Sequence, residues 1–335
     1  MRQTTIKDIA EKLRLSPSTV SRALNDHPDI SENTKDRVRS LAERLEYQPN
    51  SIAQSLQKRR SKIIGVVVPQ VKHVFFASIM GGITDVAYDA GYTVMICSSN
   101  ESHQREEMNI RELIAQRVAG LLISITQSTE GCEHFKWIRK RNIPLVFFDR
   151  VCEELEASQV VVDDHDGAFK AVQHLVQRGY KRIAHIGGPE FLNISRERLR
   201  GYRDALHAAG REIDETLILH AGLNEEHGIQ GMTELLDAVS PGPDAVFCVN
   251  DPVAIGAYSV LRQKGLKIPA DVALAGFSDN PIASIIDPPL TTVLQPATEM
   301  GRRAAQLLLR QIEFEKETVP VREVLKTELV VRQST

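Results

Sequence analysis

Four side chains near the N-terminus offer the first usable chemistry. Ser18, Thr19, Ser21 and Arg22 crowd one short run and present three hydroxyls and a guanidinium. Hydroxyls bind phosphate oxygens, and a guanidinium matches O6 and N7 of guanine with two parallel N–H groups. Only a short, exposed helix can hold them on one side. Ser16 is a suitable N-cap, and Pro17 sits at the first helical position, where its missing N–H costs nothing. Val20, Ala23 and Leu24 then face inward. Just upstream, Ile6, Ile9, Ala10 and Leu13 fall at i, i+3, i+4 and i+7, the apolar face of another helix. Ala10 is small where the second helix must cross, and Leu15 plugs the turn between them. The pair reads as a helix-turn-helix whose second helix is shaped for a DNA major groove. A third helix is capped by Ser31, with Val38, Leu41, Ala42 and Leu45 as its buried stripe.

The 335-residue chain as a whole is globular in composition, with 42% hydrophobic and 25% charged residues. The net charge of −3 hides an asymmetry. Residues 1–62 hold thirteen Lys and Arg against eight Asp and Glu, so a basic head precedes an acidic body. That pattern suits a DNA-binding head on a body that does not itself bind DNA. Cys97, Cys132, Cys152 and Cys248 form no CxxC pair, and free, reduced thiols are expected. With no signal peptide and no apolar run near the ~20 residues that span a bilayer, a cytoplasmic protein without membrane contact is expected. Between head and body, Tyr47-Gln48-Pro49-Asn50 breaks the third helix. Residues 50–56 could form two helical turns, marginal in isolation. Leu56, beside Lys58-Arg59-Arg60, could wedge into a minor groove.

From Ile63 onward the chain alternates strand-like and helix-like runs. Strands are expected at 63–68, 93–97, 120–125, 144–148, 160–162, 182–187, 217–221, 245–249 and 272–276. Amphipathic helices fall between them, which implies parallel sheets wrapped on both faces. Two smaller sheets, dividing near 149–158, are favoured over one. Ligands of such folds bind beyond the carboxyl ends of the strands. Ser124, Asp149, Arg150, Asp163, Asn250, Asp251, Ser278 and Asp279 stand there. No GxGxxG after a strand, GxxxxGK[ST], HExxH or GxSxG occurs, so neither a cofactor nor a catalytic metal is expected. A sugar-binding module of transport type fits the body alone, and a Rossmann-like enzyme is a further alternative; the basic head opposes the first.

Thr5-Ile6-Lys7-Asp8-Ile9-Ala10, Ser18-Thr19-Val20-Ser21-Arg22-Ala23-Leu24-Asn25, Tyr47-Gln48-Pro49-Asn50 and Ala53-Gln54-Ser55-Leu56 resemble the LacI/GalR family of bacterial transcription regulators. Phe147-Phe148-Asp149-Arg150, Arg198-Leu199-Arg200-Gly201-Tyr202, Asn250-Asp251-Pro252-Val253 and Pro288-Pro289-Leu290-Thr291-Thr292 extend the resemblance through the body. Val151-Cys152-Glu153 and the run 276–281 look most like members from Bacteroidetes. The resemblance implies an all-α helix-turn-helix head (1–47), a hinge helix and linker (48–62) and an α/β body (63–335). The body would comprise two Rossmann-like parallel-sheet subdomains of periplasmic-binding-protein type, about 63–160 plus 292–325 and about 161–291 plus 326–335.

The same resemblance implies an allosteric repressor that binds a pseudo-palindromic double-stranded operator as a homodimer, without enzymatic activity. Pro17, Ser18 and Arg22 would read bases. Thr5, Ser16, Thr19, Ser21 and Asn25 would mostly hold phosphates, and Ala53 and Leu56 would enter the minor groove. Its effector, a sugar, sugar acid or sugar phosphate, would meet Phe75, Phe76, Ser124, Asp149, Arg198, Leu223, Asn250, Ser278 and Asp279. This chain departs from the family pattern in having Arg14 where many members have Gly, Gln54 where many have Arg, and Ser278 where many have Asp. Arg14 would be mildly strained if left-handed, and Asp279 is the candidate to replace the missing carboxylate.

Overall fold

The computed structural model describes residues 4–47, 61–129, 131–314 and 319–335. It divides into two units, 1–61 and 62–335. The hinge candidates Ala53 and Leu56 lie outside the described residues.

The first unit holds α1 (Ile6–Leu13), α2 (Pro17–Leu24) and α3 (Glu32–Arg44). Ile9, Ala10, Val20, Ala23, Val38 and Ala42 close a small core. Ser16 and Ser31 cap α2 and α3 through the Thr19 and Thr34 amides. Arg14 ends α1 at φ 53°, ψ 43°, the left-handed region that disfavours a residue with a Cβ. Lys35 is buried to 5% exposure and bridges Asp26 and Glu32, which neutralises its ammonium.

The second unit has two lobes, each built on one sheet. The first sheet runs β11-β5-β4-β3-β1-β2 and the second β12-β10-β9-β8-β6-β7. In the first lobe these strands are β1 (Ile63–Val68), β2 (Thr93–Ser98), β3 (Gly120–Ile123), β4 (Leu145–Phe148), β5 (Ser158–Val162) and β11 (Arg322–Leu325). The second lobe contains β6 (Ile183–Gly187), β7 (Ile218–His220), β8 (Ala245–Cys248), β9 (Ala273–Ser278), β10 (Thr291–Leu294) and β12 (Glu328–Val330). Every pairing is parallel except β10 with β12. Central strands are buried along their length, as parallel strands covered by helices must be.

Helices α4 (Val74–Asp89), α5 (His103–Ala115), α6 (Glu133–Lys140) and α11 (Ala297–Glu313) serve the first lobe. The second is served by α7 (Asp164–Gln177), α8 (Asn193–Ala208), α9 (Glu225–Ala238) and α10 (Asp251–Gln263). Where α4 crosses α11, glycines carry the contact. A Cβ on Gly301 would stand 2.1 Å from the Ile79 carbonyl oxygen, and one on Gly82 as close to that of Thr298.

Two boundaries differ from expectation. The polar stretch 149–158 does not divide the lobes: Val151, Cys152 and Leu155 are buried in it, and β5 then joins β4 and β11 in the first sheet. The chain crosses to the second lobe after Val162. It crosses back at Gln295–Pro296 rather than near 292, because Thr291–Leu294 pair with β9. A third crossing separates β11 from β12. The cysteines are also not all free: Cys132 and Cys152 are disulfide-bonded, with Cα atoms 6.2 Å apart, while Cys97 and Cys248 are free. Nothing in their sequence spacing of 20 signals that contact; the return of the chain through β4 creates it. No helix among the described residues is long and apolar enough to cross a membrane.

Candidate functional site: a helix face and an interlobe cleft

On the head, Ser16, Pro17, Ser18, Arg22 and Asn25 are exposed, and Thr19 and Ser21 are half-buried. The Ser16 hydroxyl lies 2.7 Å from that of Ser18 and 2.8 Å from that of Thr19, so one small cluster of donors sits at the start of α2. Asn25 closes the helix by donating from Nδ2 to the Ser21 carbonyl at 2.9 Å. Thr5 donates from both its backbone N–H and its hydroxyl to Asp8 Oδ2, each at 2.7 Å, as the cap of α1. Arg22 has no ion-pair partner among the described residues and keeps its whole guanidinium for an external acceptor.

In the body, residues from both lobes enclose a cleft of about 440 Å³, part of it open to solvent. Seven of the nine expected residues line it: Phe75, Phe76, Asp149, Arg198, Leu223, Asn250 and Ser278. Phe75 and Phe76 meet edge to face at 5.4 Å at the start of α4. Asp149 follows β4 with φ 58° and is 4% exposed. Ser124 is fully buried behind it and reaches its Oδ2 by a long contact of 3.4 Å, so Ser124 positions the carboxylate instead of lining the cleft. Asp279 is turned away. Its Oδ1 is held at 2.7 Å by Arg332, so it does not replace the carboxylate that Ser278 lacks.

Asn250 spends its amide locally, donating to the Leu223 carbonyl and accepting the Val253 amide as N-cap of α10. Asn193 ties the lobes: its Nδ2 donates to the Asp149 carbonyl and its Oδ1 accepts the Val151 amide, both at 3.0 Å. Gln127 Oε1 accepts the Leu223 amide at 3.2 Å in a second tie.

His73, Arg150, Ile194, Pro252, Asn280 and Gln295 also line the cleft. Arg150 was visible as the neighbour of Asp149 at a strand end, and Pro252 and Asn280 lie in runs that carry the family resemblance; His73, Ile194 and Gln295 carry no sequence signal. Gln295 arrives only because the chain crosses between lobes there. Its Nε2 donates to Ser278 Oγ at 2.9 Å, and its Oε1 is buried without a partner.

The charges are largely cancelled. Arg150 Nη1 donates to both oxygens of Glu101, at 2.9 and 3.0 Å. Arg198 is matched by Asp164 and also donates to the Val249 carbonyl at 2.7 Å. Burial holds the His73 imidazole below its ordinary range, helped by Arg150, so it is neutral near pH 7. Burial pushes the Asp149 carboxyl up, against the pull of Arg150 and Arg198. Asp149 is left as an acceptor with only the long Ser124 contact, and the buried Arg150 Nε–H, 3.8 Å from its Oδ2, as a donor without a hydrogen-bond partner. Such a donor–acceptor pair matches a ligand hydroxyl.

Known proteins agree with this architecture. Residues 5–50 match the family described as bacterial regulatory proteins, lacI family, and residues 172–335 match a periplasmic binding protein-like domain. The HTH-type transcriptional repressor CytR of Escherichia coli (strain K12) is 35% identical over 332 residues, covering 99% of this chain and 96% of that protein. A structure described as the transcriptional regulator CelR-cellobiose complex superposes with a TM-score of 0.76 at 33% identity, over 99% of this chain and 100% of the other. The lac repressor dimer bound to operator and the anti-inducer ONPF gives 0.85 at 27% identity, over 100% and 99%. The chain belongs to the lacI family of bacterial regulatory proteins, as a DNA-binding transcriptional regulator with a small-molecule-binding body.

Proposed function

We propose that the chain is a cytoplasmic repressor that binds a pseudo-palindromic operator as a homodimer and is controlled by an uncharged, polyhydroxylated effector, a sugar or glycoside. The observation that carries this reading is the cleft: side chains from both lobes converge on one space, Asp149, Arg150 and Gln295 line it, and Arg150 Nε and Gln295 Oε1 have no hydrogen-bond partner. A ligand touching both lobes changes their relative stability, and it acts only through its different affinity for the two arrangements. The CelR structure holds cellobiose, and the lac repressor structure is a dimer on operator DNA. Both descriptions support the same roles here.

The effector's charge follows from the cleft. Glu101 and Asp164 already neutralise Arg150 and Arg198, and Asp149 is a further acid, so a sugar acid or phosphate would find no free arginine in the lining to meet it. A neutral polyol satisfies Asp149 and Arg150 with hydroxyls and can lie against Phe75. Met95, Ile96 and Met108 are exposed on β2, an edge strand, and on neighbouring α5, which gives a second copy an apolar surface to cover. No catalytic role is assigned. Two other buried acids, Asp164 and Asp251, are engaged by Arg198 and by the Asn280 amide and Thr292 hydroxyl.

The test is operator affinity for the full chain, on a sequence selected from random duplex DNA, with and without sugars that raise its melting temperature. A cleft-bound sugar that leaves operator affinity unchanged would refute the gating. Salt-insensitive DNA binding would refute the DNA reading itself.

A further inference from the structure

A second cluster lies on the first lobe, outside the cleft lining. His103 opens α5, Glu106 follows one turn later, and His134 stands near the start of α6. Glu106 is fully buried and His134 is 5% exposed. His134 Nε2 donates to Glu106 Oε1 at 2.8 Å. The Thr129 hydroxyl donates to the same oxygen and the Thr126 amide to Oε2, both at 2.8 Å. The His103 ring stands edge-on to His134 with centroids 4.7 Å apart, and its Nδ1 is buried without a hydrogen-bond partner. One donor atom from each of the three residues lies within 4.8 Å of the other two.

We propose that His103, Glu106 and His134 form a binding site for a divalent transition-metal ion, with zinc as the preferred occupant. Two imidazole nitrogens and one carboxylate are a donor set that zinc accepts, whereas magnesium and calcium favour oxygen alone. Zinc bonds of about 2.0–2.2 Å at a tetrahedral angle hold donor atoms about 3.3–3.5 Å apart. Reaching that from the present spacing needs a rotamer adjustment, and His103, half-exposed and without a partner on Nδ1, can supply it. The ion takes the place of the proton between His134 Nε2 and Glu106, which is released to solvent or moves to the other ring nitrogen. The Thr126 and Thr129 donors remain on the carboxylate and fix its orientation, as outer partners of metal ligands do. Three protein ligands leave a fourth position for water.

A purely structural Glu106–His134 bond explains two of the residues. It does not explain a third imidazole packed against them with a buried, unpartnered nitrogen. The site also adjoins the segment 124–129, which carries Gln127. That residue donates its amide to Glu101 at 2.8 Å and reaches Leu223 across the cleft, so a metal here braces the segment that ties the lobes.

The test is titration of the full chain, stripped with chelator, with zinc chloride, and with magnesium chloride in parallel. Isothermal calorimetry should show one zinc per chain, with a rise in melting temperature that magnesium does not produce. His103→Ala leaves the Glu106–His134 bond intact, so it should melt like the parent without zinc while losing zinc affinity by about tenfold or more. Glu106→Gln should lose it further. Absence of saturable zinc binding, or zinc binding equally tight in both variants, would overturn the assignment.

Discussion

Arg198 and Asp164 form a buried ion pair in which Nε and Nη2 both converge on Oδ1 of the carboxylate, at 2.8 and 2.7 Å. The guanidinium also lies over the Phe277 ring, 3.8 Å from its centroid. Burial outweighs the pull of the Arg198 guanidinium and leaves the Asp164 carboxyl raised to about 6. Arg198→Met should therefore strand a buried carboxylate and cost about 3–5 kcal/mol in urea unfolding. The double variant with Asp164→Asn should cost clearly less than the two single losses summed. Simple additivity would show that the pair is not coupled.

The effector should bind through ionised Asp149. Burial raises this carboxyl above its ordinary 3.8, so its protonation begins at a higher pH than for an exposed aspartate. A ligand hydroxyl donating to the carboxylate favours the ionised form. Affinity is then full above the free-protein pKa and falls as pH drops through it. The same shift acts oppositely on the free protein's stability: the native state holds the proton more tightly than the unfolded chain, so this contribution is lost as pH rises through the native value. Asp149→Asn should weaken sugar binding and remove most of its pH dependence, read by calorimetry across pH 4 to 8. An unchanged pH profile would place the acceptor elsewhere.

Arg22 is the strongest base-reading candidate on α2. A bidentate guanine contact discriminates by about 1–3 kcal/mol, so Arg22→Ala should lower affinity for a selected operator by about 10- to 100-fold. Affinity for unrelated duplex DNA should fall much less. Equal losses on both would make Arg22 a phosphate contact.

Gly301 and Gly81 should respond oppositely to alanine. At Gly301 the added carbon meets the Ile79 carbonyl oxygen at 2.1 Å, so α4 and α11 must separate. A net cost of about 1–3 kcal/mol is expected. At Gly81, also on α4, nothing lies within 4 Å, and alanine should stabilise by up to ~1 kcal/mol through helix propensity. Thermal unfolding of the two variants decides it.

The head was legible because its signals are local. Ser16, Pro17 and Ser31 mark helix starts by hydrogen bonding within one turn, and the buried faces of α1 to α3 follow a 3.6-residue period. The central strands β1, β3, β4 and β8 were legible as continuous apolar runs for the same reason. β11, Arg322–Leu325, and β12, Glu328–Val330, were not, since they are short, half-polar and partly exposed. Their strand character comes from partners distant in sequence, β5 and β10.

Sequence by itself determined the residue types that the site uses: a free guanidinium on a capped helix, aromatic faces opening α4 and an aspartate after β4. Tertiary structure decided which of the body's candidates face the cleft. Three crossings bring both lobes to one cleft, and a crossing can deliver a residue with no motif, such as Gln295. Asp279 and Arg332 are 53 positions apart, and their ion pair removes from the cleft a carboxylate that composition and position had favoured. Long-range pairing of charges depends on where the chain returns, which no local pattern of residues records.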